Sequence, residues 1–255
     1  GKTTLGKKGI SECLVDKSGK KRPFVFIALG GSTNGSTLEG HNYTYVGSTW
    51  GKITDSLIEA KCMNPIIYID ELDKISKTEH GKEIIGILIH LTDPSQNEEF
   101  VDKYFSGIKI DISKCLIIFS YNDPTLIDKV LLDRIHRIKI DPLTRYEKFQ
   151  VCLQHLIPEI TKTIGYKDSD IILEEEVLYT IIDNYTLEAG ARKLKECLFD
   201  IYREINLRSI LDETITFPFT ITKQFVEEVF EKKPKIQTKI IQDTPLIGLV
   251  NGLYA

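Results

Sequence analysis

The sequence predicts an α/β fold, with a parallel sheet flanked by helices and a smaller, mainly α-helical domain after it. Three observations predict it. Short runs rich in Ile and Phe, "PFVFIALGG", "PIIYIDE" and "CLIIFSYND", lack the polar alternation of a one-faced sheet, as strands covered on both faces do. Segments that read as helices alternate with these runs, the signature of an α/β domain. After Asp141-Pro142 the strand-like runs give way to long amphipathic helical segments.

The elements follow in order. "TLGKKGISECL" reads as a helix directly after Thr3, and "PFVFIALGG" as a strand stopped by Gly30-Gly31. "DSLIEAKC" is helical, and "PIIYIDE" is a strand ending in acids. "EIIGILIHL" is helical by length and context, "CLIIFSYND" is a strand, and "RIKID" reads as a short final one. Beyond it, "TRYEKFQVCLQHLIPEI", "EEEVLYTIIDNY" and "AGARKLKECLFDIYREINLRSI" are amphipathic helices, followed by a strand-like "TITFPFTI" and the helical "KQFVEEVFEK". The expected organisation is an α/β domain over 1–141, a helical domain over 142–232, a polar linker over 233–245 and an apolar, Gly-bearing segment over 246–255 that opens another domain.

Composition narrows the function classes. The 255 residues are 42% hydrophobic and 27% charged, as in soluble globular proteins. No run reaches the ~18 apolar residues of a membrane helix. A formal charge of -4 argues against nucleic acid as the main partner, and the basic stretch from Lys7 to Arg22 reads as solvated surface. Cys13, Cys62, Cys115, Cys152 and Cys197 are scattered, form no C-x-x-C pair and stand at no metal-like spacing from a histidine. Buried, reduced thiols of an intracellular protein, cytoplasmic or organellar, are expected, and no zinc site.

The chemistry-bearing residues begin with "PIIYIDE". Ile66 to Ile69 carry the chain through a sheet interior and deliver Asp70 and Glu71 at its carboxyl end, where open α/β sheets bind ligands. Adjacent carboxylates there call for a cation, which a Mg2+-nucleotide supplies, with Asp70 near Mg2+ and Glu71 orienting or deprotonating water. A strand surfacing into a polar loop is the plainer alternative. At the start of the chain, Gly1-Lys2-Thr3 matches the last positions of the phosphate loop G-x-x-x-x-G-K-[ST] and leads into a helix. Gly1, Lys2, Thr3 and Thr4 would then hold ATP at a helix N-terminus, with Lys2 on the β- and γ-phosphates and the Thr3 hydroxyl toward Mg2+. Asn122, after another buried strand, is either an amide that holds water against the γ-phosphate or a turn residue before Asp123-Pro124. Arg134 and Arg192 are candidate phosphate-directed cations, and each alone reads equally as a surface arginine.

Taken together, "GGSTNGSTLEGHNYTYVGSTWGKI", "PIIYIDELDKI", "DPSQNEEFVDKYF", "LIIFSYND", "LLDRIHRIKI" and "NYTLEAGARKLKE" resemble the ATPase module of Lon-type AAA+ proteases over nearly the whole chain. The resemblance implies a P-loop AAA+ sheet followed by a helical lid. It makes Lys2 and Thr3 Walker A residues, Asp70 and Glu71 the Walker B pair, Asn122 sensor 1, Arg134 an arginine finger acting in trans and Arg192 sensor 2. The family's pore loop falls on Tyr45-Val46, which would grip unfolded or misfolded polypeptide. A finger that completes a neighbour's site implies a homo-oligomeric ring, a hexamer in this family.

The sequence departs from the family where Trp50 replaces a proline beside the pore loop, where Asn42-Tyr43 replaces basic residues, and where "HGKE" (80–83) replaces "RGDP". Trp50 either adds to the grip or packs locally, and the second pore loop is in doubt. "IGLVNGLYA" resembles the first strand of the Lon protease domain, whose Ser-Lys dyad is not among these residues, so the chain itself is expected to lack peptidase activity. By the resemblance the chain opens inside the phosphate loop and lacks the strand that feeds it, central in the order 5-1-4-3-2, so weak folding and weak nucleotide binding are expected of it alone. The leading function is an ATP-driven unfoldase and translocase serving a serine endopeptidase. The alternatives are another AAA+ machine, of the clamp- or helicase-loader kind, and a non-catalytic ring-assembly fragment.

Overall fold

The computed structural model describes residues 2–15, 19–30, 34–167, 169–211 and 215–236. Gly1, most of the expected linker and the segment 246–255 lie outside the described residues. The chain divides into two compact units, Gly1–Ile140 and Asp141–Ala255.

In the first unit, helix α1 (2–13) is built of Lys2–Thr4, a π-wound stretch Leu5–Ile10 and Ser11–Cys13. Then come β1 (Phe24–Ala28), α2 (Ser36–Glu39), α3 (Lys52–Ala60), β2 (Ile66–Asp70) and α4 (Glu79–Thr92). The hairpin β3 (Phe100–Val101) and β4 (Lys109–Ile110) precedes β5 (Leu116–Phe119) and α5 (Lys129–Arg134). Strands β1, β2 and β5 form a parallel sheet in the order β1-β2-β5, with Ala28 opposite Asp70 and Ile69 opposite Phe119.

Central β2 explains its unbroken apolar run. Ile66, Ile67, Tyr68 and Ile69 are each no more than 2% exposed, because both faces are covered. On one face Ile27, Ile67 and Ile69 pack with Ile53 and Leu57 of α3 and with Ile84, Ile87, Leu88 and Leu91 of α4. On the other, the Tyr68 ring lies against Phe24, Phe26 and Gly6 of α1. A Cβ at Gly6 would stand 2.8 Å from that ring, so a glycine lets α1 come this close.

The expected strand "RIKID" does not form. Ile138 and Ile140 are 78% and 52% exposed, and no described strand pairs with them. An apolar run becomes a strand only where a neighbour takes its backbone groups, and sequence alone does not supply the neighbour.

The second unit opens with a capping box, in which Thr144 and Glu147 each bond the other's backbone N–H at the start of α6 (145–164). Midway, Cys152–Leu156 is π-wound. Pro158 stands two residues past its end, and a widened turn accommodates a ring that lacks an N–H and crowds the carbonyl four residues back. Next come β6 (Ile171–Leu173), α7 (Glu175–Tyr185), α8 (Arg192–Leu211), β7 (Phe219–Ile221) and α9 (Lys223–Val229). Strands β6 and β7 form a small parallel pair, Ile171 opposite Phe219. The helices close over Ile160, Leu178, Ile181, Leu194, Leu198, Ile201, Tyr202 and Ile205, all fully buried. The first linker residues fold back on this unit: Lys233 pairs with Asp200 at 2.6 Å, and the Ile236 N–H donates to the Asn184 carbonyl at 2.8 Å.

The thiols depart from expectation. All five are free, but only Cys152 and Cys197 are buried, while Cys62 and Cys115 are half-buried and Cys13 is exposed. Burial pushes the Cys152 thiol up to about 12 and that of Cys115 to about 11. Among the described residues no helix is long and apolar enough to cross a membrane.

Ile201 sits at the centre of the second core with no exposed surface. Ile201→Ala is expected to cost about 2–5 kcal/mol, read as a lowered urea midpoint with unchanged slope. A loss under about 1 kcal/mol would show that this core closes over the cavity.

Candidate functional site

The carboxyl edge of the sheet collects the first group of residues. Asp70 ends β2, and its Oδ1 accepts from the Ser120 hydroxyl at 2.7 Å and from the Glu71 N–H at 3.0 Å. Ser120 follows β5 directly, and its N–H and carbonyl bond Ile69 and Leu72, so the two strand ends are laced together. Lys2, at the start of α1, reaches the same edge. Its ammonium donates to the Asn122 side-chain oxygen at 2.6 Å and to the Tyr121 carbonyl. The structure thus brings Lys2, Asp70 and Asn122 together with Glu71. Thr3 and Thr4 are exposed on the first turn of α1, and Gly1 lies outside the described residues.

Glu71 holds a left-handed backbone, φ 61° and ψ 41°, which few non-glycine residues adopt and which clusters at functional sites. Its carboxylate lies over Gly30, where a Cβ would collide with Oε2. Gly30 reads in the sequence as a strand stop, yet its missing side chain makes room for Glu71. Lys74, one turn on, pairs with the other Glu71 oxygen, and that hydrogen bond holds the ammonium above its usual range. Beside them Asp123 accepts from the Thr125 N–H at 2.8 Å and hydroxyl at 2.6 Å, which keep its carboxyl below the usual range and make it the cap of the following turn.

Arg134 is not part of this group. It ends α5, and its guanidinium pairs with Asp93 at 2.8 Å, just beyond α4. The Asp93 carboxyl also accepts from the Ser95 hydroxyl at 2.7 Å and N–H at 3.0 Å. These bonds, then Arg134, lower its pKa to about 2. The pair binds "DPSQN" to "LLDRI", a contact that spacing does not reveal. In the second unit Arg192 opens α8, where Glu188 caps the helix by accepting from the Arg192 and Leu194 N–H groups. The Arg192 side chain is 92% exposed, with Glu196 at 3.6 Å.

Tyr45 and Val46 stand at the tip of a loop over 41–49, where Tyr43, Tyr45 and Val46 are exposed apolar groups. Trp50 is also exposed, at 41%, but packs on the β3–β4 loop at the foot of this one. Its ring stacks on Phe105 and meets the edge of Tyr104, and its N–H donates to Asp55 at 3.0 Å. The structure thus shows Trp50 in local packing contacts.

The edge suits a Mg2+-nucleotide in its donor set. Asp70 keeps one oxygen clear of hydrogen bonds among the described residues, and an ammonium and a neutral amide meet just past the end of the neighbouring strand.

Comparison with known proteins agrees. Residues 1–143 match the ATPase family associated with various cellular activities (AAA), and residues 162–216 match the Lon protease AAA+ ATPase lid domain. A Lon protease homolog of Acanthamoeba polyphaga mimivirus is 32% identical over 100% of this chain and 30% of its own length. The Lon protease of Campylobacter concisus is 38% identical over 91% of this chain and 28% of its own. That of Aquifex aeolicus is 34% identical over 99% of this chain and 30% of its own. The chain therefore spans about three-tenths of the length of these relatives.

Asp93 gives a pH-dependent test. Its pKa is depressed on folding, so its contribution is complete above the ordinary carboxylate value of ~3.9 and is lost as pH falls through about 2. Asp93→Asn should lower the melting temperature at pH 7, and the gap to the parent chain should close over that window. A gap that stays constant would show that the Asp93 charge contributes nothing.

Proposed function

The chain belongs to the AAA family of ATPases and joins that domain to a Lon-type lid, and from this premise we propose that it is the ATP-hydrolysing, polypeptide-translocating module of a Lon-type ATP-dependent protease. AAA membership carries nucleotide binding with it. The observation that supports hydrolysis most is the meeting of Lys2, Asp70, Glu71 and Asn122 at one sheet edge.

Bound Mg2+-ATP supplies the phosphoanhydride to be cleaved and a cation that screens its charge. Lys2 would hold the terminal phosphates, exchanging its bonds to Asn122 and the Tyr121 carbonyl for phosphate oxygens. Thr3 and the clear oxygen of Asp70 would hold the metal, Asp70 directly or through water. Asn122, released from Lys2, would orient the attacking water, and Glu71 would take its proton. Glu71 is useful as a base only when Lys74 lets go, so that ion pair keeps the carboxylate quiet between turnovers. Arg134 is proposed as the finger completing a neighbour's site in a homohexameric ring, and Arg192 as sensor 2 of the lid. Tyr45 and Val46 would grip unfolded or misfolded protein, since an aromatic face packs against many side chains. Neither nucleic acid nor a membrane is assigned as a partner.

Glu71→Gln is expected to lower steady ATP turnover by about 100-fold or more while nucleotide still binds. Turnover near the parent rate would remove Glu71 as the base. Gly30→Ala should act through the same carboxylate, lowering turnover about 10-fold by displacing it. Full activity in that variant would show that the position of Glu71 over Gly30 is incidental.

A further inference from the structure

The aromatic loop is built on a neck that the structure closes with care. Gly40 and Gly51 stand side by side at its base, and the His41 N–H donates to the Thr49 carbonyl at 3.0 Å. Gly40 has φ 79°, and a Cβ on it would lie 2.6 Å from the Asp102 carboxylate; a Cβ on Gly51 would collide with the Leu38 carbonyl. Between the arms sits Asp102, wholly buried in the loop that joins β3 to β4. Its Oδ2 accepts from the Gly51 N–H at 2.8 Å and the Thr54 hydroxyl at 2.7 Å, and its Oδ1 from the Tyr104 N–H at 2.9 Å. The next residue bonds the other arm: the Lys103 N–H donates to the Glu39 carbonyl at 2.7 Å. The hairpin therefore holds both sides of the neck. Trp50, at the foot of one arm, lies on Tyr104 and Phe105 of the same hairpin loop.

We propose that Asp102 is the positioning residue of the aromatic loop, fastening its neck to the β3–β4 hairpin so that tip and hairpin meet an extended polypeptide as one body. The inference rests on the reading of Tyr45 as the gripping residue. Burying a carboxylate without a cation is costly unless donors surround it, and here the donors come from both bodies that must be joined. Asparagine cannot do the same. Whichever way its amide turns, its NH2 faces a backbone N–H, that of Gly51 or that of Tyr104. One side of the joint is lost in either orientation.

The test uses the assembled protein together with whatever chain flanks these 255 residues, with fluorescein-labelled casein as the unfolded polypeptide. It also reads emission from Trp50, the only tryptophan in the 255 residues, any tryptophan outside them being replaced by phenylalanine. Asp102→Asn should raise the casein half-saturation concentration about fivefold, as expected when one charged hydrogen bond is lost, with nucleotide affinity within about twofold of the parent. Trp50 emission should shift to the red and become more open to acrylamide. Parent-like casein binding in folded Asp102→Asn overturns the proposal, and so does an equal loss of nucleotide affinity, which would mark Asp102 as a general support. If Asp102→Asn does not fold, Thr54→Val decides. It removes only the hydroxyl donor, and a rise of about twofold in half-saturation supports the proposal, whereas no change overturns it. Tyr45→Ala separates the two levels. Parent-like casein binding there removes the gripping role and the proposal with it, whereas weak binding there beside parent-like Asp102→Asn overturns the positioning role alone.

Discussion

Strand β2 has a ladder partner on each side and a packed layer on each face, so from Ile66 to Ile69 the chain has neither free backbone groups nor exposed side chains. Every displacement of this strand would break ladders and core together, which makes its end the most firmly placed point of the unit. The proposed chemistry is hung there. Asp70 is the last residue of the ladder and Glu71 the first beyond it, turned by its left-handed backbone over Gly30. Ser120 fixes the Asp70 carboxylate from the next strand, which leaves its second oxygen directed by covalent geometry rather than by a flexible side chain. A site of this kind resists the small misplacements that cost rate.

Helix α4 extends that rigidity outward. Its apolar face, Ile84, Ile87, Leu88 and Leu91, is buried on the sheet, and its polar groups serve two surroundings. Glu83, early in the helix, pairs with Lys103 of the β3–β4 loop at 3.4 Å, and Asp93, just past its end, pairs with Arg134 at 2.8 Å. The supports of the aromatic loop and of the proposed finger are thus carried by one packed body. Both ion pairs are partly exposed, so each contributes little to stability, and their value lies in direction.

Much of this was legible in the sequence. Unbroken apolar runs announce the three sheet strands, although only β2 is buried throughout: β1 alternates, with Phe26 exposed, and β5 is half-buried. The paired acids and Asn122 stand at or just past the strand ends, where the sequence puts them. What could not be read depends on neighbours. "RIKID" has the composition of a strand but pairs with none of those described, while β3, β4 and β6 are two or three residues long, too short to show a period. Asp93 and Asp102 sit in stretches that already resembled the family, yet their partners lie far along the chain, and only the folded arrangement shows Arg134, Gly51 and Thr54 converging on them. Trp50 was ambiguous for the same reason, since its stacking partners come from the hairpin.

These two aspartates meet the same requirement by opposite means. Asp93 keeps 17% of its side chain exposed and faces a cation, so water and salt share in satisfying it, and its role weakens as the carboxyl takes up a proton. Asp102 has no exposed surface and no ion pair among the described residues, and it is satisfied by three donors alone. Donors aimed at a buried point fix distance and angle together, whereas an ion pair at the surface fixes mainly distance. Arg134 must exchange partners if it is to act on another subunit, and a pair open to solvent permits that. If the aromatic loop grips polypeptide as proposed, its neck has to transmit force to the tip without yielding, and a closed set of hydrogen bonds in the interior suits that task better than a charge pair would.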